Sequence, residues 1–253
     1  MSKRWLGLYA AAIYAFLHVP MLVLLAFSFN SSRFTRWEGF SLSWYSKLAA
    51  DSRMIEATWN SLWIALVSTL AATAIGTLAA YGMWRKPARV LESSMYLSLV
   101  TPEIVTGVSL IAFYQWLFRH MDVRLGMHTV ILAHITFSIA YVVIVVQARL
   151  RTMDRSLEEA AMDLGATEWI AFRRVTLPLL VPGIVAAALL AFTMSFDDYV
   201  ITSLVAGVDS ETLPMVIYSM ARKGVNPEVN AVSALIVAGI GVLIVVAERL
   251  QKP

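Results

Sequence analysis

Apolar residues run along this chain in long blocks separated by shorter polar stretches. Trp5–Phe29, Asn60–Trp84, Thr129–Ala148, Leu179–Phe196 and Val229–Ala247 contain no Asp, Glu, Lys or Arg. A sixth block, Ser93–Phe118, contains one carboxylate, Glu103. A helix needs about 20 apolar residues to cross the hydrocarbon core of a bilayer. The pattern therefore predicts an all-α polytopic membrane protein with six transmembrane helices over residues 5–29, 60–84, 93–118, 129–148, 179–205 and 229–247. No linker or low-complexity stretch divides it, so 1–253 reads as one transmembrane domain in a lipid bilayer. The second block is rich in Ala, Gly, Ser and Thr, which lets helices approach closely in lipid.

Between the fourth and fifth blocks lies a polar stretch, residues 149–178, with helical signals of its own. Ser156 and Glu159 have the spacing of a capping box, in which each side chain satisfies a free backbone N–H. Leu157, Ala160, Ala161 and Leu164 follow at helical spacing. Gly165 suits the left-handed position that ends a helix. Thr167 can cap a second helix carrying Trp169 and Phe172, closing with Arg173 and Arg174 and stopped by Pro178. The low, flat Ala160–Ala161 face suits a groove in another protein, and an amphipathic helix lying on lipid is the competing expectation.

Composition sharpens the class. The chain is 59% hydrophobic and 15% charged, against about 25% charged in a soluble domain. Lys3, Arg4, Arg85, Lys86, Arg89 and the arginines of 149–178 all fall on the N-terminal side of the membrane, and basic residues mark the cytoplasmic side. Both termini and the 149–178 loop are thus expected in the cytoplasm. The first block is too long for a signal-peptide core and reads as a retained helix. There is no cysteine, hence no disulfide and no thiolate metal site, and His18, His120, His128 and His134 show no ligand spacing. Net charge of +3 gives no reason to expect nucleic acid. On the outer side, Trp37, Trp44, Tyr45 and Trp59 suit the headgroup level. Leu213–Arg222 is too short to span and reads as an interfacial or re-entrant helix. Asn226 and Pro227 have the cap and first-turn chemistry to open the last helix.

The spacing Glu159-Ala160-Ala161-x3-Gly165-x9-Val175-x-Leu177-Pro178 resembles the EAA signature of ABC-importer permeases, with Val where Ile is usual. Ser28–Phe34, Trp44-Tyr45, Ala133–Phe137, Ser195–Asp198 and Gly224–Ala231 extend the resemblance over nearly the whole chain. They are similar to the second membrane subunit of spermidine/putrescine importers. The resemblance implies the MetI-like type I importer fold and a site in the bacterial inner membrane. It implies three partners: a homologous second permease subunit, a pair of cytoplasmic ATPase subunits and a polyamine-binding protein outside. By the same resemblance Glu159, Ala160, Ala161, Gly165, Leu177 and Pro178 couple the chain to its ATPase. No lysine follows a glycine, so the chain has no Walker A motif. It is expected to be non-catalytic and without a cofactor, ATP and Mg²⁺ being held by the partner ATPase.

Carboxylates inside a membrane are costly and usually face a pathway or a partner. Glu103 follows Pro102 about ten residues into the third block, roughly 15 Å deep at ~1.5 Å per residue. Asp197 and Asp198 lie near the outer end of the fifth. Glu103, Asp197 and Asp198 are the candidate substrate pathway, for a cation by their charge and for a polyamine by the resemblance. Structural roles compete: a glutamate holding two helices together, or acids at a solvated helix end. Two other functions stay open, a permease of the same family for another small solute, and a secondary transporter or cation channel that relays ions through these acids.

Overall fold

The computed structural model describes residues 3–34, 36–119, 121, 123–224 and 227–251. Its elements are α1 (Lys3–Phe27), α2 (Ser43–Ala50), α3 (Ser52–Arg85), α4 (Arg89–Val100), α5 (Glu103–Phe118), α6 (Met127–Leu150), α7 (Ser156–Asp163), α8 (Glu168–Ala171), a π turn (Phe172–Thr176), α9 (Leu177–Asp197), α10 (Val200–Val205), α11 (Leu213–Ala221) and α12 (Pro227–Gln251). Among the described residues four helices are long and apolar enough to cross a membrane: Trp5–Phe27, Ser52–Arg85, Met127–Leu150 and Glu168–Asp197. The chain divides into two compact units, Met1–Glu56 with Val216–Pro253, and Ala57–Met215.

In the first unit α1 packs on α12, and α2 packs on α12. Asn30 is buried and braces the following turn. Its amide donates to the Phe34 and Arg36 carbonyls at 3.2 and 2.8 Å, and its side-chain oxygen accepts from the Glu38 N–H at 3.0 Å. Trp44 is buried, its indole N–H donating to the Asn30 carbonyl at 2.7 Å. Tyr45 bonds Ser28 at 2.7 Å. Pro227 opens α12 as expected, while Asn226 lies outside the described residues. The short apolar piece over Leu213–Ala221 is a helix, α11.

The second unit holds the larger core, where α3, α6 and α9 meet through Ala72, Ala80, Met83, Val142, Val143, Val146, Leu150, Leu180, Ala187 and Ala191. Small residues on α3 permit this. A Cβ added at Gly76 would lie 2.7 Å from Val142 Cγ1, so glycine sets the α3–α6 spacing. A second cluster, Ile64, Tyr114, Val130, Ala133, Ile201 and Val205, joins α3, α5, α6 and α10.

Two helices depart from the expected continuous spans. The third block is α4 and α5, bent by 110° at Thr101–Pro102. Proline pushes its predecessor out of helical geometry, and Thr101 is extended, with ψ 127°. Pro102 also offers no N–H, and its carbonyl starts α5 by accepting from Val105 and Thr106 at 2.9 and 3.1 Å. In the fifth block Pro178 does not stop the helix. Glu168–Asp197 runs through as one helix, because the π turn precedes the proline: the Leu177 N–H reaches back five residues to Phe172. A π bulge relieves the clash that a proline ring makes with the preceding turn. The second helix of the 149–178 loop is therefore the beginning of the long helix that carries the fifth block.

Candidate functional site

Glu103, Asp197 and Asp198 meet at one cavity of about 310 Å³ within the second unit, which Thr106, Phe137, Tyr141 and Tyr199 also line. The two helix breaks put them there. Glu103 is the first residue of α5, exposed to the cavity, where the helix dipole favours a negative charge. Asp197 ends α9 and is likewise exposed. The Tyr141 phenol, on α6, lines the cavity together with Glu103 and Asp197.

Asp198 turns the other way. Its side chain is 5% exposed. One carboxylate oxygen accepts from the Thr202 N–H and the Thr202 hydroxyl, both at 2.7 Å. The other accepts from the Ile201 N–H at 3.3 Å. These bonds satisfy free N–H groups at the start of α10, the usual work of an N-terminal cap. His134, buried on α6, reaches the same place. Its Nε2 lies 2.9 Å from Thr202 Oγ1 and 3.5 Å from Asp198 Oδ2. Its Nδ1 bonds Ser195 at 2.6 Å, and Ser195 bonds Ser68 at 3.0 Å. Sequence reasoning grouped Asp198 with its neighbour and gave His134 no role. A lone histidine inside a charge-free block was the available signal, since polar groups in such blocks need partners.

The 149–178 loop carries a second site. α7 ends on Gly165 at φ +90°. The Gly165 N–H donates to the Met162 carbonyl at 2.9 Å and the Ala166 N–H to Ala161 at 3.1 Å, a Schellman turn. Thr167 caps α8 by accepting from the Ile170 N–H. The expected capping box does not form. Arg155 precedes α7 and its side chain does not cap the first turn, and Asp154 accepts from the Ser156 N–H at 2.9 Å instead. Bonding to Ser156 holds the Asp154 carboxyl below the usual carboxylate range. Glu159, Ala160 and Gly165 are exposed and Ala161 is half-buried, and Leu164 is 91% exposed. Leu177 and Pro178 open α9 behind the π turn.

Glu158, which sequence reasoning passed over, is 4% exposed. It accepts from Tyr81 at 2.7 Å, Arg85 at 2.6 Å and Thr176 at 2.6 Å. Successive helix residues point about 100° apart, and here Glu159 faces outward while Glu158 is buried. Which of two neighbouring glutamates turns inward depends on Tyr81, Arg85 and Thr176, which become its partners only in the fold.

The family model for the inner membrane component of binding-protein-dependent transport systems matches residues 72–252. The putrescine transport system permease protein PotI of Escherichia coli (strain K12) is 44% identical over 237 residues, 91% of this chain and 84% of that protein. The spermidine/putrescine transport system permease protein PotC of the same strain is 38% identical, with 96% and 92% covered. Among solved structures, a bacterial ABC transporter involved in the import of the acidic polysaccharide alginate superimposes with a TM-score of 0.75 at 19% identity, over 98% of this chain and 96% of that one. The MetNI methionine ABC transporter superimposes with a TM-score of 0.68 at 20% identity, over 79% and 97%. With the helical architecture these matches establish the fold, and the chain belongs to the family of inner membrane components, or permeases, of binding-protein-dependent transport systems.

Proposed function

We propose that this chain is one of two membrane subunits of an ATP-driven importer that moves polyamines such as putrescine and spermidine inward by alternating access. It spans the bacterial inner membrane six times with both termini in the cytoplasm. The bent α4–α5 pair and α12 supply the two crossings beyond the four long helices. A homologous permease completes the pathway, two ATPase subunits hold ATP and Mg²⁺ and dock on α7, and a polyamine-binding protein delivers substrate from outside. Glu159, Ala160, Ala161, Gly165, Leu177 and Pro178 form or position the docking surface.

The observation that carries the reading is the cavity. Glu103 and Asp197 present two carboxylates beside Tyr141, Tyr199 and Phe137. A protonated amine gains from both: charge attraction, and the negative face of an aromatic ring. Asp198 lines the same cavity but gives its oxygens to Thr202 and Ile201, so its contribution to the path is the shape of the α9–α10 break.

The test is uptake of radiolabelled putrescine by the complete complex in proteoliposomes. Glu103→Gln and Asp197→Asn should each lower uptake at limiting substrate about ten-fold, the effect of losing roughly 1.4 kcal/mol of charge interaction, with assembled complex unchanged. Wild-type uptake driven by an ion gradient without ATP would mean a secondary transporter. Unchanged uptake in both variants would remove the cavity from the path.

A further inference from the structure

We propose that Glu158 is the joint through which force on the docking helix enters the membrane helices. The proposal rests on the ATP-driven reading above and assigns it one carboxylate. Most of α7 is turned outward: Ser156, Leu157, Glu159, Ala160 and Asp163 are exposed. Glu158 alone on that helix is buried. One of its oxygens accepts from Tyr81 at 2.7 Å and Arg85 at 2.6 Å, both at the end of α3. The other accepts from Thr176 at 2.6 Å, in the π turn that leads into α9. A single side chain thus ties α7 to two of the helices that build the core.

The surroundings stiffen the tie. The second Arg85 nitrogen donates to Glu168 on α8 at 2.8 Å, so Arg85 grips both helices of the loop. The Tyr81 and Phe172 rings pack at 4.4 Å. Arg155 donates to the Trp84 and Arg85 carbonyls at 3.0 and 3.3 Å over the Trp84 ring, an exposed contact that solvent weakens. A helix of eight residues cannot hold its own orientation, and α7 leaves through the Gly165 turn. Its angle to the bundle is therefore set by these contacts. Of them, the buried charge-assisted bonds are the strong ones, and losing any of them leaves a buried group unsatisfied. When the ATPase moves α7, α3 and the start of α9 must follow together.

The experiment uses the reconstituted complex with its ATPase, second permease and binding protein. ATP hydrolysis and putrescine uptake are measured in the same vesicles. Spin labels at the exposed Lys86 and Asp163 report the α3–α7 distance with and without ATP. In wild type that distance should stay fixed through the ATP cycle. In Glu158→Gln, a substitution of the same size, it should change with ATP. Hydrolysis should stay within about two-fold while uptake per ATP falls about ten-fold, one strong buried interaction's worth. Tyr81→Phe combined with Thr176→Val removes two donors and should give the same pattern more weakly; it decides the matter if Glu158→Gln fails to assemble. The proposal is overturned if both activities fall only in proportion to assembled complex and the spin distance ignores ATP, or if the variants match wild type. If wild type takes up no putrescine while the distances behave as stated, the joint stands and the polyamine reading falls.

Discussion

Asp197 and Asp198 are adjacent in sequence and opposite in duty. Asp197 is open to the cavity, whereas Asp198 is enclosed by Thr202, Ile201 and His134. Their neutral amides should therefore separate the two roles. Asp198→Asn loses an acceptor at a buried site, and about 1–3 kcal/mol of stability with it, seen as a lower melting temperature of the solubilised complex. Asp197→Asn should leave melting unchanged and act on uptake. His134→Leu should resemble Asp198→Asn, since it strips a partner from Ser195, Thr202 and Asp198 at once. The cap of α7 offers a parallel contrast. Asp154→Ala should speed amide exchange at Ser156, and Ser156→Ala should not, because the carboxylate of Asp154 makes the bond. The Asp154 carboxyl titrates lower in the folded chain than its ordinary 3.8. Its contribution is thus fully present above that value and fades as pH falls through the lowered one. Between pH 5 and 8 the order of α7 should not change on its account. Acidity alone singled out Glu103 and the aspartate pair in the sequence. Which aspartate is spoken for depends on His134 and Thr202, residues that become neighbours only when α6 and α10 pack.

Whole helices were more legible than single side chains where the apolar block is uninterrupted. α3 begins eight residues before the block that predicted it, and α6 extends two residues beyond its block at each end, because helix geometry continues into polar flanks. The two misjudged elements both involve proline. The block containing Pro102 was expected as one continuous span and is bent by 110° there. Pro178 was expected as a stop and is absorbed by the π turn. The local sequence does not say which, since a wider turn upstream needs packing to hold it. Phe172 and Thr176 supply that packing on Tyr81 and Glu158. Two glycines test the element scale. Gly165 has φ +90° and open space around its missing Cβ, so substitution there is a pure backbone effect. Gly165→Val should strain the turn by roughly 1–3 kcal/mol, leave the melting of the membrane helices unchanged, and uncouple hydrolysis from uptake. Gly76 is the reverse case, an ordinary helical position with no space. Gly76→Ala should cost about 1–3 kcal/mol by overpacking α3 against α6. Val142→Ala in the same chain should recover part of that loss, because it removes the nearer of the two colliding Val142 atoms.

At the scale of the molecule, α3 connects the two ends of the proposed mechanism. Near its start, the Asn60 amide donates to the carbonyls of Asp209 and Glu211 at 3.4 and 3.0 Å, and the Ser61 hydroxyl accepts from the Leu213 N–H at 2.8 Å. Thr129 adds a bond to the Val205 carbonyl at 2.7 Å. The segment between α10 and α11 is thereby fixed to α3 and α6. At its far end, about 37 Å along the axis at 1.5 Å per residue, α3 carries Tyr81 and Arg85, which hold Glu158. In the proposed topology the first end is outside and the second is in the cytoplasm. One continuous helix then spans from the ATPase dock to the surface offered to the binding protein. A straight helix transmits a push because its hydrogen bonds run along its length, and the tight α3–α6 contact at Gly76 keeps it from sliding alone. The consequence is measurable from Val208, which is 83% exposed. Val208→Cys is preferred over the neighbouring Asp209, whose φ of 61° most side chains resist. The chain has no cysteine of its own, so a cross-linker at this position reports without background from this subunit. It should capture the binding protein, and more strongly when ATP is bound. Adding Glu158→Gln should preserve capture but abolish its dependence on ATP, since the two ends of α3 would no longer be joined to the motor. Capture that still follows ATP in the double variant would mean that the signal travels outward by another helix.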